Sequence, residues 1–140
     1  IPYPYSTTDG LQWIDFQQSK PIEDPTKVWG MRLRKSNVLV GQMGLNQVDI
    51  GRRYGELGYW VDPAHMKQGY ATACLKTLVA YWKKNLRLQM LSAWVMAGNQ
   101  SSEKVLLNNH FKKNIQAQDK QTKSSQTPLM HQYIWQSEDL

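Results

Sequence analysis

Between residues 56 and 84 the hydrophobic period of the chain changes, and this change constrains the fold more than any other feature. "ELGYWVD" (56–62) has the short apolar and aromatic character of a strand, and Pro63 ends it. From Gly69 the apolar positions are Ala71, Leu75, Leu78 and Trp82, spaced four, three and four. That spacing is one face of a helix running to about Lys84. Lys83, Lys84 and Arg87 surround its C-terminal end, where cations suit the helix dipole. "LRLQMLSAWVMA" (86–97) then reads as a further strand. Strand, helix, strand implies a right-handed crossover between two parallel strands.

The remaining segments are shorter. "STTDGLQWIDFQQSK" (6–20) reads as a helix capped by Thr7, Thr8 or Asp9, with Leu11, Ile14 and Trp13 or Phe16 on its buried side. Pro21 and Pro25 stop it. Residues 28–34 and 37–49, joined across "KSN", read as an antiparallel pair, and Gly41 and Gly44 imply a bulge or close backbone approach in the second strand. "IGRRYG" is a turn. Residues 101–109 form a second, shorter helix, and 111–118 with 130–136 a closing antiparallel pair around the polar segment 119–127. Trp13, Trp29, Trp82 and Trp94 are assigned to the core. The expected architecture is one α/β (α+β) domain over residues 1–140. Its sheet is mixed and mostly antiparallel, with one central parallel crossover and helices on both faces.

Composition narrows the class. A chain of 140 residues, 41% hydrophobic and 20% charged, is long and apolar enough to bury one core. No apolar run approaches the roughly 20 residues of a membrane-spanning helix. Cys74 is the single cysteine, so no internal disulfide can form, and a reducing cytoplasm is the expected compartment. No charged-then-apolar leader opens the chain, so secretion is not expected. The net charge of +6 favours anionic partners, but its cations lie in scattered pairs such as Arg52-Arg53, Lys83-Lys84 and Lys112-Lys113. With no recognition motif present, a nucleic-acid-binding domain is a remote alternative and no nucleic acid is expected as partner. His65 and His110 have no second ligand at helical spacing, so no metal is expected. Cys74 lies on the crossover helix with nothing nearby in sequence to activate it, which assigns it to packing.

The start of the crossover helix is unusual. Lys67, Gln68, Gly69 and Tyr70 stand where Ser, Thr or Asp would ordinarily cap the free N–H groups of the first turn. Either water satisfies those amides, or an anion does: a helix N-terminus attracts negative charge, and Gly69 lets a ligand approach the backbone.

"GELGYWVDPAHMKQGYATACLKTLVAYW" followed by "NQSSEKVLLNNHF" resembles the GNAT superfamily of acyl-CoA-dependent N-acyltransferases, and within it the branch that acetylates N-terminal residues of ribosomal proteins. The family signature Q/R-x-x-G-x-G/A falls on Met66 to Ala71, and the branch's W-G-K-G-Y-A-T is kept at Gly69, Tyr70, Ala71 and Thr72. The later pattern N-x-x-S-x-x-V-L-x-x-x-G-F falls on Asn99, Ser102, Val105, Leu106, His110 and Phe111. "IPYPYSTTD" also resembles a segment that such proteins carry before a helix. Three residues depart from the pattern: Met66 for Gln or Arg, Lys67 for a common glycine, and His110 for the glycine before Phe111. The family normally has a strand and a helix upstream of "PYPY", which this sequence does not contain.

The resemblance implies transfer of an acetyl group from acetyl-CoA to a primary amine, a protein N-terminus or a small molecule, by direct attack through a tetrahedral intermediate. Glu56 is then the general base, acting directly or through a water, with an exposed strand-end carboxylate near Arg52 and Arg53 as the competing reading. Ser102 is the partner of the departing thiolate, and the position that carries a donor Tyr in other branches is Leu106. Cofactor contacts fall on Trp60, Val61, Lys67, Gln68, Gly69, Tyr70, Ala71, Thr72, Asn99 and Ser102. Tyr59 and Trp60 are equally readable as core aromatics, and Asn99 and Ser101 as helix caps. The departures leave a catalytically degenerate CoA-binding or regulatory protein as the alternative. Acceptor choice is expected in 17–27, 49–54 and 119–127. A sheet edge left open by the missing first strand is expected to be covered by a partner, a second copy of the chain being the candidate.

Overall fold

The computed structural model describes residues 7–115 and 129–138. The chain runs α1 (Thr7–Ser19), β1 (Trp29–Arg32), β2 (Leu39–Asp49), β3 (Tyr54–Val61), a short 3-10 turn (Pro63–His65), α2 (Tyr70–Asn85), β4 (Met90–Met96), α3 (Gln100–Asn108), β5 (Lys112–Lys113) and β6 (Met130–Gln136). Six strands form one sheet in the order β1-β2-β3-β4-β6-β5. All neighbours are antiparallel except β3 and β4, which are parallel and joined through α2. No helix among the described residues is long and apolar enough to cross a membrane.

Alternation along the strands divides the sheet into two faces. Met43, Leu45, Leu57, Leu91, Ala93, Tyr133 and Trp135 share one of them through their cross-strand registers, and all are buried. The stripe of α2 read from the sequence, Ala71, Leu75, Leu78 and Trp82, is buried against this core. The opposite face carries Gln42, Glu56, Gly58, Trp60, Ser92 and Gln132 by the same registers. Ser92 is nonetheless fully buried, its hydroxyl hydrogen-bonded to that of Tyr54.

Several sequence expectations shift. The strand expected at 86–97 begins only at Met90, because Leu86 caps α2 by donating its N–H to Trp82 O and Arg87 turns the chain at φ +58°. Leu88 then drops into the core beside Gly55. Trp29 is not a core residue: it lies on the edge strand β1, 43% exposed, and packs edge-to-face on Tyr81 with ring centroids 5.5 Å apart. Trp82 is fully buried and Trp94 half-buried, while the side chain of Trp13 lies outside the described residues. The closing pair is reduced to two residues on β5, and 116–128 fall outside the described residues. Of the segments expected to choose the acceptor, 17–27 is held by its own hydrogen bonds, from Lys20 Nζ to Thr26 O and Lys27 Nζ to Lys20 O.

Candidate active site

The parallel strands part. β3 and β4 pair over Tyr54–Leu57 and Met90–Ala93 only. Beyond that rung β3 stays with β2 as far as Val61, and β4 stays with β6 as far as Met96. A bulge lies at the same level: Leu45 pairs with Leu57 and Gln47 with Glu56, leaving Asn46 as an extra residue in β2. Bulges bend a strand and sharpen its twist. The Asn46 side chain lies against Gly58, where a Cβ would come within 2.5 Å of its amide nitrogen, so a larger residue there would have to push the exposed Asn46 carboxamide aside. Past the carboxyl ends of the two diverging strands the chain enters α2 and α3, and such a crevice is where open α/β sheets bind ligands.

The two helix starts differ. At α2, Gly69 is the N-cap in the left-handed region (φ +83°), no side chain caps the helix, and its first turn holds no acidic residue. The ladder begins with Ala73 N–H to Gly69 O at 3.0 Å, so the amides of Tyr70, Ala71 and Thr72 precede it. A Cβ built on Gly69 meets nothing within 4 Å, so the space above this turn is open. Lys67, the departure from glycine, also has positive φ (+61°), and its side chain is exposed. Gln68 Nε2 donates to Ala64 O at 3.4 Å. The Ala71 methyl faces the core, which leaves only its N–H to a ligand. At α3, by contrast, Asn99 Oδ1 accepts the Ser102 N–H at 3.2 Å and Glu103 lies in the first turn. The α3 start is closed by its own cap, and the α2 start is open.

Two donors tie these elements together. Tyr59 lies on the core face of β3, and its hydroxyl reaches Ser102 O at 3.5 Å. Burial pushes the Tyr59 phenol up, so it remains a neutral donor. Asn109, buried at the C-terminal cap of α3, donates through Nδ2 to Thr72 O in the first turn of α2 (3.1 Å) and to Val105 O (3.0 Å). Sequence reasoning passed over Asn109. The available signal was an amide on the inward stripe of α3, three residues after the fully buried Leu106.

Glu56 is the third residue of β3, half-buried, opposite Gln47 on β2 and Ser92 on β4, one residue before the parallel pairing ends. It is therefore not at the strand end beside Arg52, which pairs instead with Asp49 at 3.7 Å. Strand alternation sends Glu56 to the face opposite Tyr59, so Glu56 and α3 flank the opening from two sides. Trp60 shares the face of Glu56, is half-exposed, and donates its indole N–H to Gln42 Oε1. Val61 and Leu106 lie on the core side, Leu106 fully buried. Met66, exposed and extended, ends the 3-10 turn. His65 Nδ1 is 2.9 Å from Asp62 Oδ2, and no group of His, Cys, Asp or Glu among the described residues is placed to hold a metal. Cys74 lines a separate apolar groove of about 270 Å³ between α2 and β1, and burial pushes its thiol up.

Comparisons with known proteins agree with this geometry. The family model for the acetyltransferase (GNAT) domain matches residues 1–112. The chain is 31% identical over 85 residues to the Bacillus subtilis protein named uncharacterized N-acetyltransferase YoaA, covering 61% of this chain and 48% of that one. It is 27% identical over 112 residues to the Escherichia coli ribosomal-protein-serine acetyltransferase, covering 72% and 63%. The chain thus spans between about half and just under two thirds of these relatives. A solved structure of Vibrio cholerae spermidine N-acetyltransferase with CoA and spermine shares the fold, with a TM-score of 0.78 at 14% identity over 96% of this chain and 78% of that one. An uncapped helix after one of two parting parallel strands, the sheet order and the family match converge, and the chain belongs to the GNAT acetyltransferase family.

Proposed function

We propose that this protein transfers an acetyl group from acetyl-CoA to a primary amine. The observation that carries this reading is the open start of α2: three leading amides, no side-chain cap and free space above a left-handed glycine, beside the point where β3 and β4 part. These are the features a diphosphate needs from a protein backbone. The amides of Gln68 to Thr72 bind the diphosphate and exposed Lys67 adds a cation, while Trp60 and Val61 flank the acyl-bearing arm along β3. The left-handed backbone is kept at both Lys67 and His110 despite their replacing glycine, which favours a working cradle over a degenerate one.

Acetyl-CoA supplies an activated thioester. Glu56 takes the proton from the amine, directly or through water, from one face of the sheet. Ser102, with Asn99 holding its amide, supports the departing sulfur from the α3 side. A C–N bond forms, the C–S bond breaks, and the proton lost by the amine is matched by one gained at sulfur. For the acceptor we propose a peptide N-terminus. Gln42, Gln47 and Gln132 share the face of Glu56, and neutral amides suit peptide backbone better than a polycation. The name of the Escherichia coli relative points the same way. The outer edge of β1, unpaired among the described residues, we assign to a second copy of the chain.

Titration with CoA under thermal denaturation tests the cradle: ligand at about 100 times Kd should stabilise the fold by about 2.7 kcal/mol. Absence of any shift at millimolar CoA ends the proposal. Glu56→Gln should lower kcat about 100-fold or more while leaving CoA binding unchanged. Binding without turnover by the unmodified chain on a panel of peptides and amines would establish the degenerate alternative instead.

A further inference from the structure

The cradle depends on how firmly the first turn of α2 is held, and little on its own helix does this. The turn has no side-chain cap, begins at a glycine and follows a segment with two left-handed residues, Lys67 and Gly69. It is restrained from outside. We infer that Asn109 is the positioning residue of the diphosphate site, fixing the first turn of α2 relative to α3 through its bond to Thr72 O; this rests on the transferase reading above.

The geometry is specific. Asn109 links α2 to α3 through its side-chain carboxamide. Its amide donates both hydrogens, one to Val105 O one turn back on its own helix and one across to Thr72 O. The first bond orients the carboxamide and the second uses that orientation. Thr72 is the third residue of α2, and its N–H is among the amides that precede the helical ladder. A restraint on its carbonyl therefore restrains the neighbouring peptide planes that face the ligand. Tyr59 makes the matching contact at α3, where its hydroxyl reaches the carbonyl of that helix's third residue, Ser102. Each helix start is thus held at the same relative position by a donor from a neighbouring element. Asn109 is buried, so a merely structural side chain there could be apolar with no donor left unpaired.

Asn109→Leu separates positioning from packing. It keeps an apolar filling of similar size and removes the donor. CoA affinity, measured by titration calorimetry on the folded protein, should fall about five- to tenfold, the equivalent of one net hydrogen bond. The KM for acetyl-CoA should rise by a similar factor with kcat and the KM for the amine unchanged. Hydrogen exchange at residues 70–76 should speed up while the core strands stay protected. Asn109→Ala, which cannot overfill the site, should show the same affinity loss, and Asn109→Gln should recover part of it. If wild type fails to bind CoA, the transferase reading itself is lost. If wild type binds and both donor-less variants bind equally well, or lose kcat in place of affinity, the positioning role is refuted.

Discussion

His110 is one of five non-glycine residues with positive φ among the described residues. Its φ of +68° lies in the left-handed region, where a side chain costs about 1–2 kcal/mol. The strain buys a sharp exit from α3: His110 N–H bonds to Leu107 O, and Phe111 N–H to Leu106 O, which seats Phe111 fully in the core. Replacement by glycine removes the strain but frees the unfolded chain, so His110→Gly should be more stable by about 0.5–1 kcal/mol in urea unfolding. The need for positive φ was legible from the glycine of the resembling pattern. For the burial of Asn109 one residue earlier, its place on the inward stripe of α3 was the one signal, and it was outweighed because an Asn near a helix end reads equally as an exposed cap. Glu56 was legible as a strand carboxylate, yet its distance from Arg52 required the register of β2 against β3.

At the scale of elements, α2 was the most legible, because four apolar residues at helical spacing leave one packing solution. The start of β4 was not: Leu86 and Leu88 continue a strand-like alternation, but the first caps a helix and the second plugs the core. Local sequence could not distinguish these roles, since both depend on where α2 ends. The start of α2 carries its own prediction. Gly69→Ala meets no neighbouring atom, so its stability cost should be confined to backbone strain of about 1–2 kcal/mol. Its methyl would instead stand in the open space over the amides, and CoA affinity should fall by much more than that of a surface control. Comparison of urea unfolding with calorimetric titration reads the two effects separately.

For the whole molecule, the main feature among the described residues is the placing of β1 at the margin of the sheet. β1 is an edge, its outer side unpaired with any strand among the described residues, and Trp29 on it and Leu39 of the neighbouring β2 are partly exposed. Next to it the groove lined by Gly30, Met31, Cys74 and Leu78 is apolar. An edge of this kind recruits another strand. Sedimentation should therefore show mass rising with concentration, and Gly30→Pro, which removes a backbone donor from the edge strand, should suppress the rise if that edge is the contact. A chain that stays monomeric at high concentration would exclude the second copy. The mixed sheet and its parallel crossover followed from the periods of the segments, whereas the exposure of Trp29 did not: composition alone sends an aromatic strand residue inward, and only the position of β1 at the margin turns it out.

The extra residue in β2 has a further consequence. Leu45 pairs with Leu57 and Gln47 with Glu56, so removing Asn46 would leave a ladder in continuous register, with Met43 and Leu45 still inside and Gln42 still on the opposite face. The same deletion would relax the local twist at the rung where the neighbouring strands now separate, drawing the doorway shut. A single-codon loss there should therefore spare the fold and impair ligand entry alone, read as weaker CoA binding at little-changed stability in urea.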